Sequence, residues 1–265
     1  MALRQLLRGQ IAWPRLEAAA KAVLERYDEP AGRVEFLDAN NWLSTPMVIN
    51  DRYFVKVISE QHSLVHALLT TGRNIGAFTS GTAGFFEHFG TPLQMAEHER
   101  DATKEMQAVG LSVPEPLEAF EVEGLGVLVL EYLPEFRTLG ELDEPAVRAI
   151  APTLYAALDR MHGAELAHGD LRAENVLVAD SELYFIDATS VRDGIGEARA
   201  YDLACALGVL APLIGPRDAV SLASEHFETE ILLQAREFLD FVTIRPDHDF
   251  DAGAVKAEIE NRATR

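Results

Sequence analysis

The sequence predicts an α+β protein of two lobes, a small sheet-rich amino-terminal lobe and a mainly helical carboxy-terminal lobe. Three observations predict it. Up to about residue 133, short runs of β-branched and aromatic residues alternate with turn residues. Beyond that point apolar residues recur at helical spacing. The length, 265 residues with 48% hydrophobic, suffices for one sizeable core or for two lobes sharing a cleft. The expected organisation is a helical segment over 1–30, a sheet-rich lobe over 31–133 with a long loop at about 72–92, and a helical lobe over 134–265.

From the start, apolar positions at Leu7, Ile11, Leu16, Ala19, Val23 and Leu24, broken by Pro14, predict one or two short helices between Leu6 and Tyr27. Strands follow at Val34–Leu37, Met47–Ile49 and Tyr53–Ile58, the last two joined by a turn at Asn50-Asp51. Residues 72–92 hold five glycines and four phenylalanines and read as a long loop, a kind of segment that usually carries function. The alternatives are that it folds over the cleft, docks a partner or packs on its own lobe. A helix from about Gln94 to Val109 stops at Gly110, with Pro114 beyond. Strands at Leu117–Val122 and Val127–Glu131 complete the sheet. In the second half, Asp143-Glu-Pro starts a helix over Pro145–His162. Strands at Val176–Val178 and Leu183–Ile186 flank a turn at Asp180-Ser181, and helices follow at about 201–214, 217–242 and 251–262.

The charge balance narrows the function. There are 43 acidic against 23 basic residues, a net charge of −20, and only four of the basic residues are lysines (Lys21, Lys56, Lys104 and Lys256). This composition is similar to that of proteins from salt-loving organisms, whose carboxylates keep the surface hydrated in brine. It argues against general nucleic-acid or anionic-membrane binding, which requires a basic face. No apolar run approaches bilayer length, and Met1–Gln10 is too polar for a secretory signal. The one cysteine, Cys205, sits in an apolar run and reads as a core residue of a protein in a reducing cytoplasm.

Chemistry concentrates in Leu166-Ala-His-Gly-Asp-Leu-Arg-Ala-Glu-Asn-Val-Leu-Val178. A helix ends, a polar loop follows with Asp170 and Asn175 five apart, and a buried strand begins. Tyr184-Phe-Ile-Asp187 then ends a second strand on a carboxylate. An ordinary helix-to-strand turn would also use Asp, Asn and Gly; the asparagine at this spacing and the second strand ending in Asp favour the functional reading. The pattern suits phosphoryl transfer, which needs positioning and charge neutralisation more than covalent help. Asp170 would accept or orient the hydrogen of an attacking hydroxyl, while Asn175 and Asp187 would hold Mg²⁺ with hard oxygen ligands.

The stretch 166–189 resembles the protein-kinase-like superfamily, in particular the branches with His-Gly-Asp: RIO kinases, the small kinase of the KEOPS complex, and aminoglycoside phosphotransferases. Ile186-Asp-Ala-Thr-Ser-Val191 is similar to a RIO motif. The resemblance implies a two-lobed kinase-like fold, ATP and Mg²⁺. It also implies a strand lysine, which Lys56 in Tyr53-Phe-Val-Lys-Val-Ile58 supplies, and a carboxylate partner on the next helix. Glu99 shares a face with Ala102, Thr103, Met106 and Val109, whereas Glu105 points elsewhere, so Glu99 is the expected partner. Leu128-Val-Leu-Glu-Tyr-Leu133 looks like the interlobe hinge, with backbone groups of Glu131 and Leu133 meeting adenine. Arg172 is a candidate to neutralise the transferred phosphoryl, unless it is an exposed loop arginine.

Two departures from the family pattern stand out. Leu37-Asp-Ala-Asn-Asn-Trp-Leu-Ser-Thr-Pro46 replaces the glycine-rich loop, which leaves the phosphates to side chains such as Asn41 and Ser44. Only fourteen residues lie between Asp187 and Asp202, too few for a peptide-binding activation segment. Asp202 either braces the catalytic loop or caps a helix. The resulting expectation is an ATP-dependent, RIO-like serine/threonine kinase acting on a protein hydroxyl. The alternatives are a small-molecule kinase of aminoglycoside-phosphotransferase type and an ATP-bound assembly factor with slow turnover.

Overall fold

The computed structural model describes residues 11–37, 44–60, 90–188, 195–245 and 248–264. They form two compact units. The first takes in the described residues up to 60, those from 90 to 105, and 114–134; the second takes in 106–113 and the described residues from 135 onward.

The first unit is a five-stranded antiparallel sheet of order β1-β2-β3-β5-β4, built from β1 (Val34–Phe36), β2 (Thr45–Ile49), β3 (Tyr53–Ile58), β4 (Pro116–Val122) and β5 (Leu125–Glu131). Its hairpins close where the chain tolerates left-handed backbone. Asn50 and Asp51 have φ of 56° and 51°, and Glu123 and Gly124 have φ of 50° and 73°, the twist-matched geometry of two-residue turns. Side chains alternate across β3. Tyr53, Val55 and Val57 pack with Met47, Val127 and Val129 against Leu16, Ala19 and Val23 of helix α1 (Trp13–Arg26). Phe54 and Ile58 lie on the other face with Leu128, Leu130 and the helix residues Met95 and Ala96. That second helix, α2 (Pro92–Ala108), is started by the Thr91 hydroxyl, which accepts the Gln94 N–H at 3.2 Å. It begins so close to the sheet that a Cβ on Gly126 would stand 2.1 Å from the Pro92 carbonyl oxygen. Pro14 occupies the first turn of α1, where a missing N–H costs nothing, and so does not break it. Residues 72–89 of the expected loop, like Asn41, lie outside the described residues.

The second unit is mainly helical. A three-stranded sheet, β6 (Arg137–Thr138), β7 (Val176–Ala179) and β8 (Glu182–Phe185), accompanies helices α3 (Glu144–Gly163), α4 (Ile195–Ile214), α5 (Pro216–Ala223), α6 (Thr229–Thr243) and α7 (Ala252–Ala263). Asp143 caps α3 by accepting the Ala146 N–H at 3.0 Å. Helix α4 is buried on nearly every side from Ala200 to Ala211, as an all-round apolar helix must be. The single helix expected over 217–242 is two. Phe227 breaks it: the ring is buried against Tyr155 and His162, and the chain leaves helical geometry between Ser224 and Glu228 to put it there. Helix α4 also starts six residues earlier than expected. Among the described residues, no helix is long and apolar enough to cross a membrane.

Candidate active site

In the first unit, Lys56 sits on β3 opposite Leu128 of β5 and Pro46 of β2, on the face that α2 covers. Strand alternation puts it among apolar neighbours, and it is 3% exposed. Its ammonium pairs with the carboxylate of Glu99 on α2. Thr103 steadies the same turn, its hydroxyl donating to the Glu99 carbonyl at 2.7 Å. Ser44 is buried just ahead of β2. Glu131 ends β5, and its N–H donates to the Glu115 carbonyl at 2.9 Å. Leu133 lies half-buried two residues further along.

In the second unit the loop after α3 is fixed from beneath. Asp202, in the middle of α4 and fully buried, accepts the N–H of His168 at 2.6 Å and that of Gly169 at 2.8 Å. The His162 imidazole lies 3.3 Å from the same carboxylate. Of the two roles considered for Asp202, the structure displays the brace, since a residue seven positions into a helix caps nothing. Gly169 takes φ of 78°, a left-handed turn open to glycine, and this lets two successive amides converge on one carboxylate.

His168 is wholly buried, and its Nδ1 lies 3.3 Å from the Asp170 N–H. Burial holds the imidazole below its ordinary value; Asp202, Asp170, Asp187 and the Ile186 carbonyl pull the other way. A neutral ring that accepts at Nδ1 carries its proton on Nε2. Asn175 donates its amide N–H to the Asp170 carbonyl at 2.8 Å. That commits the amide nitrogen and makes the side-chain oxygen the atom that would ligate a cation. The β7–β8 pairing continues through an Ile186 N–H to Asn175 carbonyl bond at 3.1 Å. Asn175 and Asp187 therefore stand at the same end of the hairpin. Asp187 has φ of 60°, in the left-handed region that aspartate enters more readily than most residues. Two oxygen donors there suit a hard divalent cation.

The Asp170 carboxylate is 5% exposed. Arg172, at the start of the short helical turn Ala173–Asn175, brings Nε to 3.7 Å from Asp170 Oδ2 and is only partly exposed. The residue that sequence reasoning missed is Arg245, which donates to Asp170 Oδ1 at 2.6 Å. No local signal marks it: it is one arginine after a helix, 75 positions away.

Residues 91–193 match the family model of the RIO domain. The match contains the whole stretch 166–189 and Glu99, while Lys56 lies outside it. A comparison with curated proteins finds no match. Among solved structures, the chain is similar to the Drosophila melanogaster PAN3 pseudokinase, at 15% identity and TM-score 0.43 over 86% of this chain and 63% of that one. It is also similar to the Neurospora crassa PAN3 pseudokinase, at 13% identity and TM-score 0.44 over 89% and 64%. The Mycobacterium tuberculosis PknI kinase domain aligns at 16% identity and TM-score 0.44 over 88% and 96%. The chain thus spans less than two thirds of the PAN3 chains. Over residues 91–193 the chain is similar to a kinase-like domain of RIO type.

Proposed function

We propose that the chain is an ATP-dependent phosphotransferase, a RIO-like atypical serine/threonine kinase that moves the γ-phosphoryl group of ATP to a protein hydroxyl. The observation that carries this reading is the Lys56–Glu99 pair. A lysine 3% exposed on an apolar strand, paired with a helix carboxylate, costs more solvation than an apolar pair of the same size would. A phosphate-binding ammonium, aimed by its partner, is a reason to keep it. The second unit supports the reading with a loop whose carboxylate, Asp170, is held at its backbone by His168 and Asn175. Asn175 and Asp187 would hold Mg²⁺, which when bound neutralises phosphate charge. Asp170 would orient the acceptor hydroxyl and take its proton as the new ester bond forms and ADP departs. Ser44, Asn41, Glu131, Leu133 and Arg172 are proposed contacts to nucleotide or transferred phosphoryl. The −20 charge and the lone buried Cys205 support a salt-rich, reducing cytoplasm as the setting.

The test is incubation with γ-labelled ATP and Mg²⁺, alone and with cell extract, beside calorimetric titration of Mg²⁺-ATP. Asp187→Asn removes a charged ligand and is expected to weaken both binding and transfer. Asp170→Asn is expected to leave Mg²⁺-ATP affinity near wild type while transfer falls on the order of 10²-fold or more. A wild type that binds ATP, transfers nothing and is indifferent to Asp170→Asn would instead be an ATP-bound assembly factor.

A further inference from the structure

We infer that Arg245 is a positioning residue for Asp170, acting through that carboxylate on the transfer step; the role rests on the phosphotransferase reading. Arg245 lies two residues past the end of α6 and is 9% exposed. Its guanidinium is fixed at two points. Nη2 donates to Asp170 Oδ1 at 2.6 Å, and Nη1 donates to the Tyr201 hydroxyl at 2.6 Å. The same Nη1 lies 3.8 Å from Cys205 Sγ. Tyr201 is itself fully buried and packs its ring against Phe238 and Phe241 of α6. The fork is therefore anchored to a rigid wall, and a planar guanidinium held at one nitrogen fixes the direction of the other.

The Asp170 backbone is tied by its N–H to His168 Nδ1 and by its carbonyl to the Asn175 amide. These contacts set the peptide. Arg245 acts on the side chain instead, holding Oδ1, so the reaction would use Oδ2, the oxygen that Arg172 Nε approaches at 3.7 Å. Helix α4 thus supports the loop twice in adjacent residues. Asp202 holds the His168 and Gly169 amides, and Tyr201 holds the arginine that orients the carboxylate.

Orientation is where such a contact matters, because a misplacement of about 1 Å at a reacting group costs on the order of 10²-fold. Phosphoryl transfer through a loose transition state relies on such positioning more than on covalent help. A packing role alone would be served as well by an apolar side chain of that volume.

The test uses the full chain with γ-labelled ATP, Mg²⁺ and cell extract, with Arg245→Leu, Arg245→Lys and Tyr201→Phe made in wild type and in Asp170→Asn. Arg245→Leu is expected to lower kcat by about 10-fold or more, with KM for ATP within about twofold of wild type. Arg245→Lys, which keeps the charge but cannot span both partners, recovers part of the loss, and Tyr201→Phe loses less than Arg245→Leu. In the Asp170→Asn background, Arg245→Leu should add less than about twofold, since its effect runs through the carboxylate already removed. Full additivity in that background, or an unchanged kcat in an active enzyme, overturns the positioning role. So does a loss that tracks melting temperature alone. If Arg245→Leu does not fold, Arg245→Lys and Tyr201→Phe decide by the same split between kcat and KM. A wild type that transfers no phosphate overturns the phosphotransferase reading and this role with it. An active wild type indifferent to Arg245 overturns only this role.

Discussion

The two units bury charge in different ways. In the first, Lys56 and Glu99 join a strand to a helix across a face otherwise made of Ile58, Leu128, Leu130, Met95 and Ala96. The strand keeps its ladder on both sides whatever stands at 56, because β2 and β5 pair with its backbone. In the second, Asp202 is itself part of the scaffold: two backbone amides of the loop have their acceptor in one buried carboxylate. The first arrangement satisfies no backbone group and the second satisfies two. A pair that bridges two independently formed elements can be lost without orphaning backbone groups, whereas a side chain that substitutes for missing secondary structure cannot.

The largest effect expected from this contrast is on turnover. Lys56→Ala should cost on the order of 10²-fold or more in phosphate transfer, as loss of a fixed charge-stabilising donor does. Circular dichroism should stay unchanged. Glu99→Ala should resemble it and Glu105→Ala should not, measured by the same transfer assay; an inactive Glu105→Ala would break the helix-face assignment. Next in size is stability. Asp202→Ala should lower the unfolding free energy by roughly 1.5–3 kcal/mol, the usual cost when buried groups lose hydrogen bonds to a charged acceptor. Denaturant titration checks this, and a wild-type midpoint would dissolve the distinction between the two units.

Smallest is the response to salt. Arginines in both units serve two carboxylates each: Arg33 with Glu35 and Asp51, Arg148 with Glu144 and Asp218, and Arg236 with Glu237 and Glu260. Bases are thus in short supply at the surface, and screening should relieve the repulsion that remains. Melting temperature is expected to rise by several degrees, about 2–4 °C for each kcal/mol gained, from low to molar KCl. Cys205 makes the comparison sharper because it reports on the second unit alone. Burial pushes its thiol up to about 12, so a thiol reagent should reach it only on opening. If molar salt slows its labelling while the overall melting curve stays flat, the salt effect belongs to the second unit.

Much of the local structure was legible because its causes are local. The hairpins at Asn50-Asp51 and Asp180-Ser181 follow from turn residues between alternating runs, and all four residues take positive φ. The spacing of His168, Gly169, Asp170 and Asn175 was readable because a short loop permits little else. Glu99 was readable because a helix face is a matter of periodicity.

What escaped is what depends on distant partners. A single helix over 217–242 satisfied periodicity, but only the rings of Tyr155 and His162 show why Phe227 must interrupt it. Asp202 was ambiguous between a cap and a brace until helix α4 was seen to begin at Ile195, seven residues earlier. Arg245 had no signature at all, since one arginine looks like any other until its guanidinium meets Asp170 and Tyr201. By itself, then, the sequence determined the elements, the motif and the order in which the chemistry-bearing residues occur. The tertiary structure alone decided which carboxylate supports the loop, which arginine holds Asp170 and where helices end. Hydrogen-bond geometry and packing act over a few ångströms in space, and sequence periodicity records only neighbours along the chain.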